Sequence, residues 1–201
     1  MLATDPLYLH PDDYLAGELA SPIKHEYRQG EAFARSGGTR AHSIITGNLF
    51  GNLWMRLRGS GCRAFAENMK VRVQAANAFY YPDVAVTCSD RDRDQQLQQD
   101  FIDDPCLIIE VLSPSTAAFD RGEKFADYRT LESLEEYVLV SSDRVAVEVF
   151  RRDDAGNWTR AIYDGGDVSI SLMSMNLTIG LRDIYEDTSL FDGTDGLTGD
   201  D

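Results

Sequence analysis

The chain has 201 residues, of which 43% are hydrophobic and 10% aromatic, enough apolar material for one domain with one core and too much for a globally disordered chain. No apolar run reaches the roughly 20 residues that a membrane-spanning helix needs, and the first residues lack the pattern of a signal peptide, so we expect a cytoplasmic protein with no membrane partner. The formal net charge of −15 argues against a surface that attracts nucleic acid everywhere.

The charge is unevenly distributed along the chain. Between Arg56 and Arg72 there are five basic residues against the single acid Glu67, so a local positive face can form there although the sequence does not demonstrate one. Three cysteines, Cys62, Cys88 and Cys106, are an odd number at wide spacing with no Cys-x-x-Cys pair. This spacing argues against a disulfide framework and against a zinc site, and we expect buried thiols within strands.

The first third of the chain predicts a helix, a hairpin and a longer helix. Proline and acids after His10 are typical of a helix start, and Gln29-Gly30 predicts the turn of a hairpin over residues 25–35. A clear amphipathic helix is predicted over residues 40–58, because apolar residues recur there at every fourth position, namely Ile45, Leu49, Leu53 and Leu57.

The remainder predicts a sheet interrupted by one further helix. Strands are expected over residues 62–73, with a bend at Glu67-Asn68, and over 80–88, 106–112 and 137–141, with a helix over 119–131 and an antiparallel meander from 145 to 163. The order predicts an α/β (α+β) fold with a mixed central sheet, an N-terminal hairpin and a C-terminal antiparallel meander. We expect a single domain over residues 1–186 and an acidic C-terminal tail over 187–201.

Two acids lie inside apolar strand-like segments. A carboxylate in such a position costs free energy unless it is paired, and a divalent cation is one partner for Asp83 and Glu110. If their strands are neighbours, the backbones lie about 4.8 Å apart and both carboxylates can bind one ion. Two carboxylates with waters suit Mg²⁺ or Mn²⁺, and Lys124 on the following helix could orient a water molecule.

Other interpretations remain open at this point. The strand acids and Lys124 could form a partly buried structural ion pair, and His42 near a helix start could be a capping or surface residue. Glu26 could be a solvated strand acid, and Asp120 an ordinary helix N-cap. Since no Gly-x-x-x-x-Gly-Lys motif is present, we expect no organic cofactor.

Three motifs in order resemble those of the Uma2 family of restriction endonucleases. They are Tyr-Tyr-Pro-Asp-Val-Ala-Val at 80–86, Ile-Ile-Glu-Val-Leu-Ser-Pro-Ser-Thr at 108–116, and Asp-Arg-Gly-Glu-Lys-Phe at 120–125 followed by Tyr128. The resemblance implies the PD-(D/E)xK nuclease superfamily and its αβββαβ core, the restriction-endonuclease-like fold.

The resemblance also implies roles for particular residues. Asp83 and Glu110 would be the two metal-binding acids, and the main-chain carbonyl of Val111 a further ligand. The superfamily pattern expects lysine where this chain has Leu112, so Lys124 would have to supply the ammonium from the next helix. Glu26 would add an outer carboxylate, and His42 is a further candidate for the catalytic set.

The leading hypothesis is therefore a Mg²⁺-dependent (or Mn²⁺-dependent) endonuclease whose substrate is DNA. The alternative is a catalytically inactive nuclease-fold protein with a regulatory or partner-binding role, which Leu112 and the charge of −15 motivate. A nuclease for RNA or branched DNA is a third hypothesis. A homodimer is compatible with cleavage of both strands, although no residue pattern indicates one.

Overall fold

The computed structural model describes residues 8–35, 37–96 and 99–191. Their helices are α1 (Pro11–Ala20), α2 (Arg40–Arg56), α3 (Asp90–Arg93), α4 (Ala117–Arg121), α5 (Glu123–Tyr128) and α6 (Leu181–Tyr185). Their strands are β1 (His25–Arg28), β2 (Glu31–Ala34), β3 (Arg63–Ala66), β4 (Lys70–Val73), β5 (Ala78–Tyr80), β6 (Val84–Thr87), β7 (Phe101–Ile102), β8 (Pro105–Leu112), β9 (Glu136–Ser141), β10 (Ala146–Arg152), β11 (Trp158–Asp164), β12 (Ser169–Leu172) and β13 (Leu177–Gly180).

The strands form two main sheets and one small one. The larger sheet has the order β11-β10-β9-β8-β6-β3, with β8 and β9 parallel and its other pairs antiparallel. The second sheet has the order β2-β1-β5-β4-β7, and β12 and β13 form a separate pair. The element order α2, β3, β6, β8, α4 with α5, then β9 confirms the predicted α+β fold with its αβββαβ core, N-terminal hairpin and C-terminal meander.

Two predicted strands are each divided between the two sheets. The stretch over residues 62–73 becomes β3 in the larger sheet and β4 in the second, and the stretch over 80–88 becomes β5 and β6. The second division falls at Pro82, which has no N–H to donate to a ladder. The N–H of Tyr81 donates instead to the Glu26 side chain, at 3.0 Å. Asp83 therefore lies at the junction between the sheets rather than within a strand.

Helix α2 covers one face of the larger sheet. Its four apolar residues of fourfold spacing are buried, as the amphipathic pattern predicts, and they pack on residues of β6, β8 and β9 in the first core. The opposite face packs against the second sheet and α5, forming a second core that includes Tyr80, Tyr128 and Tyr137. The catalytic-type residues predicted from the sequence lie on this second face.

The helix predicted over residues 119–131 is two short helices. Gly122 interrupts them with φ −105° and ψ −99°, outside the helical region. A Cβ at this position would lie 3.0 Å from the carbonyl oxygen of Ala118. The interruption turns α5 so that Lys124, in its first turn, is 4% exposed.

The prediction for the cysteines is wrong in one respect. Cys62 and Cys88 form a disulfide, and only Cys106 among the three is a free, buried thiol. The antiparallel register of β3 and β6 pairs Arg63 with Thr87, so the residues one step further along face each other. Sequence spacing could not reveal this pairing, because it depends on the alignment of two strands.

The predicted division into a domain over 1–186 and a tail over 187–201 falls partly on residues 192–201, which lie outside the described residues, and it stays a prediction. Within the described part, Thr188 is buried, and Leu190 and Phe191 pack against the first core. None of the described helices combines the length and apolar character needed to cross a membrane.

Candidate active site

One cleft of about 450 Å³ opens at the junction between the two sheets. It is lined by every residue that the sequence analysis named for the site, which are Glu26, His42, Asp83, Glu110, Val111 and Lys124. These residues come from β1, α2, the β5–β6 junction, β8 and α5. The fold thus brings together side chains that span almost one hundred positions of the chain.

Asp83 and Glu110 face each other across neighbouring strands. The last pair of the β6–β8 register is Val84 with Ile109, and one step further places Asp83 opposite Glu110. Directly opposed residues of antiparallel strands have Cβ atoms about 4.5–5.5 Å apart and point to the same face. Both side chains are buried, with 2% and 3% exposure.

Asp83 is surrounded by hydrogen-bond donors. Its Oδ2 accepts from the Val111 N–H at 2.7 Å and lies 3.2 Å from His42 Nε2, while its Oδ1 pairs with the guanidinium of Arg35. Burial opposes the ionisation of Asp83, but the His42 hydrogen bond and the charges of His42 and Arg35 outweigh it and hold its pKa below the ordinary value. Asp83 is therefore an anion at neutral pH.

His42 is a buried neighbour of Asp83 rather than a surface residue. Its N–H donates to the N-cap oxygen of Thr39, at 3.2 Å, while its ring faces Asp83. The hydrogen bond to Asp83 raises the pKa of His42 above its ordinary value. A Cβ at Gly38 would lie 2.6 Å from the His42 ring, so the close approach of this loop requires glycine.

Lys124 lies at the centre of three carboxylates. Its Nζ is 2.9 Å from Glu110, 3.1 Å from Glu26 and 3.7 Å from Asp120. Burial alone would favour a neutral amine, yet these acids raise the pKa of Lys124 above its ordinary value, so it stays an ammonium group. Three acids around one cation leave excess negative charge, and burial raises the pKa of Glu110 to about 8 against the lowering effect of Lys124.

Glu26 joins the N-terminal hairpin to this cluster. Strand β1 pairs with β5, with Tyr27 opposite Phe79, and this pairing carries Glu26 to the edge of the cleft. One oxygen of Glu26 accepts both the Tyr81 N–H and a hydrogen bond from Lys124. Glu26 is thus a ligand of the ammonium group, and not a solvated strand acid.

A set of potential metal ligands includes Asp83. One donor atom each from His42, Glu67 and Asp83 lies within 4.8 Å of the other two, a spacing that a single ion can bridge. The pair of Asp83 and Glu110 offers an oxygen-only alternative on the strand side of the cleft. The donor types present therefore fit a divalent cation, with Asp83 common to both sets.

Four residues of the cleft were missed or assigned another role by sequence reasoning. Arg35 and Glu67 gave no signal, because one follows a hairpin strand and the other lies in a turn. Asp120 is not a surface N-cap but a buried residue within α4, and the Tyr128 hydroxyl, expected only to pack, donates to Glu110 at 3.2 Å. Buried polar positions of this kind become visible only when the helices are placed on the sheet.

Comparison with known proteins agrees with this architecture. The family model of Uma2, described as "Putative restriction endonuclease", matches residues 11–182. The Synechocystis sp. protein slr1290 is 37% identical over 88% of this chain and 91% of its own length, and sll1609 from the same organism is 29% identical over 81% and 93%.

A solved structure shares the fold. A crystal structure from Anabaena variabilis, of "a putative nuclease belonging to DUF820", superposes with a TM-score of 0.69 at 19% identity, covering 85% of this chain and 96% of that one. With so low an identity, this likeness shows the fold alone. The family model covers most of the chain, and slr1290 is related over nearly its whole length. This chain belongs to the Uma2 family.

Proposed function

We propose that this protein is a metal-dependent endonuclease that hydrolyses phosphodiester bonds of DNA in the cleft between its two sheets. The observation that carries the proposal is the distance of 2.9 Å between Lys124 Nζ and Glu110, on the strand opposite Asp83. The motif position occupied by Leu112 cannot supply an ammonium group. A lysine from the neighbouring helix supplies one beside the second acid instead.

Asp83, Glu110 and the carbonyl oxygen of Val111 are the residues that would hold the cation, and this all-oxygen set suits Mg²⁺ or Mn²⁺. When bound, such an ion polarises a phosphoryl oxygen and lowers the pKa of water. His42 and Glu67 form the other flank of the same aspartate. The positive groups of Arg35 and His42 contact the same oxygens of Asp83, so a cation has to compete with them for that carboxylate.

Lys124 acts as a positive donor and not as a base. Its raised pKa keeps it protonated at neutral pH, so it can donate a hydrogen bond to water or to the charge that develops on phosphate. Glu26 and Asp120 hold the ammonium in place from two other elements. This arrangement satisfies the requirement that a catalytic group be fixed by its neighbours before the substrate binds.

The test is cleavage of supercoiled plasmid DNA by the purified protein with Mg²⁺ or Mn²⁺, and with EDTA in their place. We expect nicking that depends on the metal and is lost in Asp83→Ala and in Lys124→Ala. Asp167→Ala, which changes an aspartate that is 86% exposed, is the matched control and should cleave as the wild type does. Equal cleavage by the wild type and the two cleft variants would exclude this function.

One observation favours a second candidate, the inactive nuclease-fold protein with a partner-binding role. Lys124 is fully engaged by three carboxylates, as in a structural ion pair, and Leu112 replaces the lysine of the motif. This candidate predicts a folded protein that leaves DNA intact with both metals. Parallel assays on RNA and branched DNA separate it from a nuclease with another substrate. The homodimer stays a prediction, to be measured by light scattering.

A further inference from the structure

A second cleft, called here the β3 groove, lies between the end of α2 and the start of β3. It has a volume of about 370 Å³, and its walls include Phe50, Trp54, Leu57, Arg58 and Arg63. Two arginines and no carboxylate line it. In a chain with 34 acidic residues against 19 basic ones, an acid-free groove with two guanidinium groups is a marked local departure.

These two arginines are the available part of the basic segment from 56 to 72. Arg56 donates to a backbone carbonyl, Arg72 forms a two-pronged pair with an aspartate, and Lys70 is 4% exposed against a tyrosine. Arg58 and Arg63 are exposed, and within the described residues neither forms an ion pair. Positive charge without an acidic partner favours an anionic ligand.

Trp54 adds an aromatic surface beside this charge. The ring is 51% exposed, although it belongs to a helix whose regularly spaced apolar residues are buried. The guanidinium of Arg58 lies over it, 5.4 Å from the ring centroid. An exposed tryptophan next to arginine is the combination on which unpaired nucleic-acid bases stack while their phosphates are neutralised.

The groove and the candidate active site lie at opposite ends of one edge strand. Strand β3 is the last strand of the larger sheet, and it runs from Arg63 to Ala66, directly before Glu67 of the catalytic cleft. Four residues of strand span about 13 Å. A nucleic-acid strand that advances about 3.4 Å per nucleotide covers this distance in about four nucleotides.

We propose that the β3 groove binds an unpaired DNA strand that flanks the cleaved bond by about four nucleotides, with phosphates on Arg58 and Arg63 and a base stacked on Trp54. The inference rests on the proposed nuclease function, because the ligand is a continuation of the substrate. It assigns the substrate class: DNA with a single-stranded flank, which a fully paired duplex does not offer to Trp54.

The experiment measures binding separately from cleavage. Asp83→Asn protein in EDTA is titrated into a fluorescent single-stranded 12-mer and into the matching duplex, over a range of salt concentrations, with anisotropy as the readout. Adding Arg58→Gln and Arg63→Gln together should reduce the salt slope of the single strand by about 1.4, or about 0.7 for each phosphate contact. Adding Trp54→Ala should weaken single-strand binding roughly 5- to 150-fold and leave duplex binding unchanged.

Two control variants match the chemistry of these changes. Arg160→Gln removes an arginine that also lies over an aromatic ring, 5.8 Å from Phe150, on the opposite edge strand. Met55→Ala removes a neighbouring side chain that is 69% exposed but does not line the groove. Both should bind the single strand as the parent does.

The outcomes separate this inference from the proposed function. If the wild type nicks plasmid but the groove variants keep the parent's affinity and salt slope, the inference is overturned and the function stands. If the parent binds no DNA and the wild type cleaves none, both are overturned. If Trp54→Ala instead converts a dimer to a monomer in light scattering with single-strand binding unchanged, the groove is a contact between two copies and the inference fails.

Discussion

Replacing Lys124 by methionine separates a catalytic ion cluster from a structural one. Methionine keeps an unbranched side chain of similar length but removes the charge. In the wild type the ammonium contacts Glu110 at 2.9 Å, Glu26 at 3.1 Å and Asp120 at 3.7 Å. The exposed fractions of these three acidic side chains are only 4%, 16% and 6%.

The expected cost in stability follows from this burial. Removing one partner of a buried ion pair leaves uncompensated charge and typically costs about 3–5 kcal/mol. A domain is stable by about 5–15 kcal/mol, so Lys124→Met should remain folded with a clearly lower urea midpoint. The lost positive donor should also reduce the cleavage rate by a factor of at least about 100.

A double-mutant cycle isolates the contribution of the cluster. Glu110→Gln removes the charge closest to Lys124, so the double variant Lys124→Met, Glu110→Gln should recover about 1–3 kcal/mol of the stability lost in Lys124→Met. Urea denaturation monitored by circular dichroism gives the four free energies of unfolding. The double variant should not recover cleavage, because Glu110 is a proposed metal ligand.

A second buried pair serves as the control for destabilisation alone. Arg151 contacts the fully buried Glu136 at 2.8 Å, and neither residue lines the catalytic cleft. Arg151→Met should lower stability while retaining cleavage at temperatures where it is folded. A folded Lys124→Met protein that cleaves at the wild-type rate would refute the catalytic role. Unchanged stability in that variant would refute the argument from burial.

Two further predictions concern the disulfide and His42. The Cys62–Cys88 bond closes a separation of 26 residues, so Cys62→Ser should lower the free energy of unfolding by about 3.5 kcal/mol on the chain-entropy account, and added dithiothreitol should then have no further effect in a urea titration. The pKa of His42 is raised by its bond to Asp83, so its protonation adds stability that is fully present below the unfolded-state pKa of about 6.5 and is lost as pH rises through the folded value. Asp83→Asn should lower the pKa of His42 in an NMR titration, and Mg²⁺ added to the wild type should do the same; an unaltered titration in the variant would contradict the assigned contact.

The local elements were predictable because their signals are local. The fourfold spacing of apolar residues in α2 reports the helix face that packs on the sheet, and the Gln29-Gly30 pair reports a turn whose two residues have φ of 52° and 96°. The apolar segment of β8 is a central strand buried along its whole length, as its composition predicts. These features depend on residues a few positions apart.

The candidate site was predictable only in part. Asp83 and Glu110 were identifiable because charged residues inside apolar segments are costly unless they are paired. The sequence did not identify Arg35 or Glu67, since a loop arginine and a turn glutamate carry no periodic signal. Lys124 was identified as a candidate from its motif, but its position depends on the break at Gly122 and on the placement of α5 against the sheet.

The sequence by itself therefore determined the helices, the core strands and the two acids, because side-chain periodicity and the cost of buried charge act within short segments. Only the tertiary structure decided that two strands divide between two sheets, that Cys62 faces Cys88, and that Lys124 meets Glu110. Each of these depends on strand register and helix placement. Register and placement are set by packing between segments far apart in the chain, which no local pattern encodes.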